Sequence, residues 1–213
     1  MARERDHGGE AEPSGASRAG PRFADADLSG ATFERSRLHR ARIVGSTLDE
    51  ISLEDVALPR ASLVDANASG LSMRDIDFSS CVVEDATFVD ARLSDVDLAR
   101  VSLVDANLEG ARLENVNLSR VKLVDGSMAD ASLEDVSAPR LAIADADLTA
   151  ASFRECDLAA SSFDDVKLTG ARFDRVDLRD AVIRNADVRG LTIDGVRVDE
   201  LLARARSERG DGG

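Results

Sequence analysis

Every fifth residue from Phe23 to Val198 is apolar, and this run of 36 positions has no interruption. All 7 phenylalanines occupy this register, which we call the central position of a five-residue unit. A small or β-branched residue lies two positions before most central residues, as Ala26 lies before Leu28. An amphipathic helix shows apolar residues at i, i+3, i+4 and i+7, and an ordinary strand shows strict alternation. The repeat matches neither pattern and predicts a different regular structure.

Each unit is predicted to be a very short strand followed by a turn. Apolar residues two positions apart point to the same side of an extended segment, so the chain must bend before the next pair. Pro59 and Pro139 lie one position after a central residue, and seven glycines lie two positions after one. Proline followed by glycine at these turn positions is typical of type I and type II turns. Aspartate and asparagine, which tolerate positive φ better than most residues, fill many of the remaining glycine positions.

Four units are predicted to complete one coil, because the sequence repeats best at a spacing of 20 residues. The segment SLVDAN occurs at residues 62–67 and again at 102–107. A three-sided coil would repeat every 15 residues and would mix these columns. One uniform column contains Asp25, Asp65, Asp85, Asp105, Asp125, Asp145 and Asp165, and another contains Arg40, Arg60, Arg100, Arg120 and Arg140.

Segments such as ADLSG at residues 26–30 and ANLEG at residues 106–110 resemble the A(D/N)LXX unit of pentapeptide-repeat proteins. The resemblance covers roughly residues 21–200. It implies an all-β fold, a right-handed quadrilateral β-helix of about nine four-sided coils; the handedness comes from the resemblance alone. At a strand spacing of about 4.8 Å, the coils would form a rod roughly 43 Å long.

The two ends of the chain lack the repeat. Residues 1–20 are expected to form a disordered leader, residues 21–198 the β-helix, and residues 199–213 a short C-terminal helix with a frayed tail. Asp199 is expected to be the N-cap of a helix over residues 199–209. Leu201 and Leu202 are expected either to cap the last coil or to join two copies into a homodimer.

Composition excludes several classes of function. The net charge is −14 and the chain has no Trp or Tyr, so direct nucleic-acid binding is disfavoured. No apolar stretch is long enough to span a membrane, and the N-terminus lacks the apolar core of a signal peptide. With two cysteines in 213 residues, a reducing cytoplasmic location is expected.

No catalytic, cofactor or metal site is expected. The chain has two histidines, His7 in the leader and His39 at an outer turn position. Cys81 and Cys156 occupy inward positions on different sides of the coil, so they are expected to be inert packing residues. The glycine-rich nonapeptide of calcium-binding β-rolls is absent from the sequence.

The acidity of the repeat region suggests a protein partner. Residues 21–198 contain 33 acidic and 21 basic residues, a net charge of −12. Over the expected rod this is about 0.3 charges per Å, about half the line charge of duplex DNA. The resemblance includes a fluoroquinolone-resistance subgroup that binds DNA gyrase as a DNA mimic. The candidate partner-binding residues are Asp65, Asp85, Asp105, Asp125 and Asp145.

Two alternatives stay open for these acidic residues. Aspartate suits a turn, so the column can reflect turn geometry, with the acidity serving solubility in a structural scaffold for an unrelated protein. The register also has no break, so the projecting loops of some resistance proteins are absent.

A second candidate surface is an apolar stripe that Glu84 and Asp164 interrupt. The stripe consists of Val44, Val64, Val104 and Val124, extended by Ala24 and Ala144.

Overall fold

The five-residue units form the sides of a four-sided coil, and successive coils stack through parallel strand pairing. A computed structural model describes residues 20–210 of the chain. Except for Gly20 and Gly210, the leader expected over residues 1–20 and the frayed end expected over residues 210–213 lie outside the described residues. The repeat region is a right-handed quadrilateral β-helix of about nine coils.

The described part of the chain contains nineteen strands and one helix. The strands are β1 (Arg22–Ala24), β2 (Thr32–Glu34), β3 (Arg42–Val44), β4 (Ser52–Ala57), β5 (Ser62–Val64), β6 (Ser72–Asp77), β7 (Val82–Glu84), β8 (Arg92–Asp97), β9 (Ser102–Val104), β10 (Arg112–Glu114), β11 (Lys122–Val124), β12 (Ser132–Glu134), β13 (Ala142–Asp147), β14 (Ser152–Arg154), β15 (Ser162–Lys167), β16 (Arg172–Asp174), β17 (Val182–Arg184), β18 (Thr192–Ile193) and β19 (Val196–Arg197). The helix is α1 (Val198–Gly210).

The four faces of the coil are numbered in chain order. Face 1 is a nine-stranded parallel sheet that contains the odd-numbered strands from β1 to β17, although β13 and β15 also extend onto face 2. Face 3 contains the even-numbered strands from β2 to β16 together with β18 and β19. Strands β4, β6 and β8 extend from face 3 onto face 4, and elsewhere faces 2 and 4 are joined by single bridges, such as Asp27 to Thr47 and Arg37 to Ala57. Parallel partners are always 20 residues apart, as Phe23 pairs with Ile43, which confirms four units per coil.

The residues at the corners of the coil adopt a left-handed backbone conformation. The angle φ is positive at every fifth residue from Asp25 to Gly190, with values between 45° and 70°. The corners that follow faces 2 and 4 are closed by a hydrogen bond across the turn, as when the Ala61 amide donates to the Leu58 carbonyl at 3.1 Å. Pro59 and Arg60, with φ 61°, are the central residues of that turn, which fits a type II turn.

The corners that follow faces 1 and 3 are held by bonds between coils. The Asp65 amide donates to the Glu84 carbonyl of the next coil at 3.1 Å, and the Asn115 amide donates to the Glu134 carbonyl at 3.1 Å. Backbone groups that a sharp bend would leave unsatisfied are therefore paired along the rod. Each coil thus depends on its neighbours for its own shape.

The inward side chains form one continuous apolar core. Central residues from Ile43 to Phe173 are buried, apart from the half-buried Leu103. The rings of Phe153 and Phe173 stack with centroids 4.6 Å apart, and Phe163 meets Phe173 edge-on at 6.3 Å. The residues two positions before the central ones, including Cys81 and Cys156, fill the rest of the interior. The inward assignment of both thiols is confirmed.

A β-hairpin follows the last coil at the C-terminal end of the core. Strands β18 and β19 are antiparallel and joined by Asp194 and Gly195, whose φ angles are 47° and 76°. Positive φ at both central residues is characteristic of the type I′ turn of two-residue hairpins. The Val198 amide then donates to the Leu191 carbonyl at 3.0 Å, and Leu191 is fully buried. The hairpin therefore covers part of the last coil.

The helix differs from expectation in its start and its contacts. It begins at Val198, and the Asp199 carboxylate accepts hydrogen bonds from the backbone amides of Gly190 at 2.9 Å and Glu200 at 3.0 Å. An N-cap side chain instead bonds the amide two or three residues ahead, so Asp199 ties the helix to the last coil rather than capping it. Leu201 and Leu202 are 50% and 41% exposed, so these side chains do not close the core.

Candidate interaction surface

One corner of the rod carries an unpaired line of carboxylates. The Asp ridge is the corner between faces 1 and 2, and it contains Asp25, Asp65, Asp85, Asp105, Asp125, Asp145 and Asp165. All seven residues are exposed. From Asp65 to Asp165, each lies one coil, about 4.8 Å, from the next. Among the described residues, none of these side chains makes an ion pair or a hydrogen bond.

The same ridge also satisfies a backbone requirement. Its aspartates have φ between 50° and 54°, and Gly45 and Asn185 occupy the remaining corners of the column with φ 58° and 50°. Glycine, asparagine and aspartate are the residues that adopt this conformation at least cost. Turn geometry therefore accounts for the residue type in this column. It does not involve the carboxylate charge, which is available to interact with a partner.

The diagonally opposite corner is also acidic, but basic residues share its column and two of its carboxylates have partners. The mixed ridge, between faces 3 and 4, contains Asp55, Asp75, Asp95, Asp135 and Glu155 together with Arg35 and Arg175. Arg175 pairs with Glu155 at 2.5 Å, and beside the ridge Arg154 forms an ion pair with Glu134. Asp95 accepts hydrogen bonds from Asn115 and Ser94, which lower its pKa. Sequence reasoning missed this ridge because its column mixes both signs of charge.

The arginine column lies at the corner between faces 4 and 1. The Arg ridge contains Arg40, Arg60, Arg100, Arg120 and Arg140, with φ between 56° and 63°. Arg100, Arg120 and Arg140 line a shallow groove of about 510 Å³ together with Asn117 and Ser119 on face 4. No described carboxylate lies within ion-pair distance of these three arginines. Face 1 is therefore bordered by the Arg ridge on one edge and by the Asp ridge on the other.

The apolar stripe lies on face 1 beside the Asp ridge. Val44 pairs in register with Val64, and Val104 pairs with Val124. All four valines are half-buried, and Glu84 and Asp164 occupy the same column on coils between and beyond them. Val82, in the neighbouring outward column of the same face, is 41% exposed. The two candidate surfaces named from the sequence therefore adjoin each other.

The structure shows no arrangement of reactive groups among the residues it describes. His39 is exposed at a corner, and no three His, Cys, Asp or Glu side chains in residues 20–210 converge on a metal-sized site. Burial raises the pKa of the Cys81 thiol to about 12, and burial likewise raises the pKa of Cys156. Neither thiol is in a disulfide. No helix over the described residues is both long and apolar enough to cross a membrane.

The family follows from the repeat and the fold together. The model of the pentapeptide-repeat family matches the chain in eight copies, over residues 22–55, 61–100, 91–128, 102–137, 143–180 and 161–197. The chain belongs to the pentapeptide-repeat family. No curated protein sequence matches the chain significantly.

The chain is similar to solved structures, and one with a TM-score above 0.5 agrees with this fold. A trypsin-treated variant of QnrB1, described as a plasmid-mediated fluoroquinolone resistance protein, is 16% identical over 88% of this chain and 97% of that chain, with a TM-score of 0.51. HetL, a pentapeptide-repeat protein involved in heterocyst differentiation regulation from the cyanobacterium Nostoc sp. strain PCC 7120, is 20% identical over 81% of this chain and 87% of that chain, with a TM-score of 0.36. At these identities the likeness concerns the fold alone.

Proposed function

We propose that this chain is a non-enzymatic interaction protein whose Asp ridge binds a type II topoisomerase, DNA gyrase, in place of DNA and protects it against quinolone-like inhibitors. The observation that carries the proposal is the run of exposed, unpaired carboxylates from Asp65 to Asp165, one on each coil. A DNA-binding groove presents basic side chains along its length. A rigid row of carboxylates at fixed spacing is complementary to such a groove.

The contrast between the two acidic corners supports the choice of ridge. Carboxylates already paired with arginine, such as Glu155 with Arg175, offer little attraction to a basic partner. The aspartates of the Asp ridge have no such partner within the described chain, so their field acts outward. QnrB1, which shares the fold, is described as a plasmid-mediated fluoroquinolone resistance protein, and this supports a topoisomerase as the partner.

The test is a gyrase supercoiling assay with and without a quinolone, using the parent protein and a variant with Asp85→Asn, Asp105→Asn and Asp125→Asn. Asparagine keeps the shape and the turn preference of aspartate, and Asn185 already occupies a corner of this column. We expect the parent to bind gyrase with an affinity that falls steeply as salt rises, because two charged surfaces meet. The triple variant should fold normally and bind more weakly.

The matched control neutralises Arg100 and Arg120 to glutamine on the neighbouring corner. This change removes charges of the opposite sign from a similarly exposed edge, so it should not weaken binding to gyrase. If the triple asparagine variant binds as well as the parent, the ridge is not the binding surface. If the parent fails to bind gyrase at any salt concentration, the topoisomerase proposal is wrong.

A second candidate function is a structural scaffold for an unrelated protein, with the acidity serving solubility. The observation that favours it is the positive φ of every aspartate in the ridge, which explains the residue type without a partner. Affinity capture from the native host separates the two functions, because recovery of a topoisomerase supports the first and recovery of a different protein supports the second. A topoisomerase partner and two free thiols both fit a cytoplasmic location, which we propose on those grounds.

A further inference from the structure

Face 1 differs from the opposite face in the residues that it presents to solvent. Between Ser62 and Ala144, its outward positions hold small or apolar residues except for Glu84 and Lys122. The corresponding positions on face 3 hold serines and five charged residues, Arg74, Arg92, Arg112, Glu114 and Glu134. Face 1 is thus a parallel sheet with partly exposed valine, alanine and serine side chains, and a contiguous apolar surface of this kind can mark an interaction site.

The edges of this sheet carry opposite charges. The Arg ridge and the Asp ridge are one five-residue unit apart, so they lie at most about 17 Å from each other across face 1. Arginines occur at residues 60, 100, 120 and 140, and aspartates follow five residues later at 65, 105, 125 and 145. One unit is a quarter of a coil, so each arginine and the aspartate after it differ in height along the rod by about 1.2 Å.

We infer that face 1 is a self-association surface, on which two copies of this chain pack side by side with their rods parallel. Consider a two-fold axis that is parallel to the rods and lies between two opposed copies of face 1. Rotation about this axis exchanges the two edges of the face and keeps every residue at the same height along the rod. It therefore places the Arg ridge of each copy against the Asp ridge of the other. Arg100 of one copy then meets Asp105 of the second copy, and the same holds for Arg60 with Asp65, Arg120 with Asp125 and Arg140 with Asp145.

The middle of the interface is complementary in size. The same axis sets the valine column of one copy against the other outward column of the second copy. Val64 faces Ser62 and Val104 faces Ser102, so the larger side chain meets a small one, and Ala144 faces Ala142, where both side chains are small. Lys122 faces Val124 and lies beside Asp125 of the second copy, which extends the charge pairing inward. Half-buried valines gain further burial, which favours association.

The charges select this orientation over the antiparallel one. A two-fold axis perpendicular to the rods would set arginine against arginine along one edge and aspartate against aspartate along the other, and such like-charge contact is unfavourable. A flat face about 40 Å long and about 15 Å wide offers roughly 600 Å² per copy, somewhat below the about 800 Å² per partner of a standard interface. We therefore expect a reversible dimer whose population depends on concentration.

Self-association and the proposed function use the same carboxylates. The Asp ridge cannot face a second copy and a topoisomerase at once, so the dimer competes with that partner. Self-association is nevertheless measured on the protein alone, and its presence or absence does not depend on whether gyrase binds.

The experiment is sedimentation velocity on the full chain over about a hundredfold range of concentration, at low and high salt. The first variant carries Arg100→Asp, Arg120→Asp and Arg140→Asp, and the second carries Asp105→Arg, Asp125→Arg and Asp145→Arg. Both residue types already occupy left-handed corners of this rod, so both variants should fold. We expect the parent to dimerise, each variant alone to self-associate at least about tenfold more weakly, and an equimolar mixture to recover a dimer.

The control variant carries Leu201→Ser and Leu202→Ser, which removes the exposed leucines of the C-terminal helix and leaves face 1 unchanged. It should dimerise as the parent does. A parent that is monomeric throughout the concentration range overturns the inference. So does a dimer that the leucine variant loses while both charge variants keep it, because that dimer is joined through the helix.

Discussion

The column of Leu108 and the column of Asp105 lie three residues apart in sequence, but opposite constraints act on them. Leu108 points into the coil, is 6% exposed and belongs to the continuous core. Asp105 lies at a corner, is exposed and has φ of 50°. Volume and apolar character decide which residues fit the first column. Backbone conformation decides the second, and solvent tolerates almost any side chain there.

This difference explains why the fold is easier to infer than the partner. An interior position has one role, so an apolar residue in each of 36 consecutive units leaves little doubt about the register. A corner position has two roles, because aspartate both relieves a left-handed backbone and carries a charge. Substitutions at the two kinds of position separate these roles, and those in the interior should have the largest effect.

The largest effect is expected at Leu108. Leu108→Ala should lower the free energy of unfolding by about 2–5 kcal/mol, because the rigid coil can collapse only partly around the cavity. Leu108→Asp should cost more, since the interior offers a buried carboxylate no partner. Urea denaturation followed by circular dichroism measures both values. Glu109→Ala, at the exposed neighbour, is the control and should change stability by less than about 0.5 kcal/mol. A Leu108→Asp variant as stable as the parent contradicts the inward register.

A smaller interior effect concerns Cys81. Burial raises its pKa to about 12, so the unfolded thiol, with a pKa near 9.0, loses its proton first as pH rises. The native state is then disfavoured, and the free energy of unfolding should fall by about 1.4 kcal/mol between about pH 8 and about pH 10. Comparing the parent with Cys81→Ser isolates this dependence, because the serine variant lacks the titrating group.

The serine variant should itself fold well. Ser161 occupies an equivalent inward position, where its hydroxyl accepts from the Leu141 amide at 3.1 Å and donates to the Ala138 carbonyl at 3.0 Å. Cys81 makes the corresponding contacts with Ala61 and Leu58. Native Cys81 and Cys156 should also react slowly with thiol reagents. Rapid labelling of both without denaturant contradicts their burial.

The sequence was sufficient for the coil but not for its closure or its pairing. Apolar periodicity and the 20-residue columns predict the register, which strand pairs such as Leu63 with Val83 confirm. The C-terminal hairpin was missed, although Asp194-Gly195 between Ile193 and Val196 is a strong two-residue hairpin signal. That signal is hidden because glycine at the same position ends ordinary units throughout the rod.

The charge pattern of the surface was only partly predictable. The Asp ridge is uniform and was found from its column, whereas the mixed ridge has both signs of charge and needs the structure to reveal its pairs. Ion pairs such as Arg175 with Glu155 join residues on adjacent coils through flexible side chains. The repeat does not determine the direction of a corner side chain. The sequence columns therefore show which residues are adjacent along the rod but not which of them form ion pairs or hydrogen bonds.

A corner residue without a special preference for positive φ should gain from glycine. Arg120 has φ of 59° in a turn closed by the Val121 amide and the Leu118 carbonyl at 3.1 Å. An L-residue in this conformation costs about 1–2 kcal/mol, and the greater entropy of unfolded glycine offsets about half of that. Arg120→Gly should therefore raise the free energy of unfolding by up to about 1 kcal/mol. Arg112→Gly, in strand β10, should lower the free energy of unfolding by a similar amount. If both substitutions change stability in the same direction, Arg120 is not strained by its positive φ.

The smallest effect separates turn geometry from charge in the Asp ridge itself. Two variants change Asp85, Asp105 and Asp125 together, one to asparagine and one to alanine. Asparagine keeps the left-handed preference and removes the charge, whereas alanine removes both. Adjacent carboxylates about 4.8 Å apart repel by about 0.9 kcal/mol in water, and salt screens this repulsion. The asparagine variant should thus be slightly more stable than the parent at low salt and within about 0.5 kcal/mol of it at high salt. The alanine variant should be less stable than the asparagine variant by a margin that salt does not change, because backbone conformation is not screened. Urea denaturation at two salt concentrations gives both differences. If the two variants are equally stable at both salt concentrations, turn geometry does not explain why aspartate occupies this column. Its charge is then the property that explains the residue type.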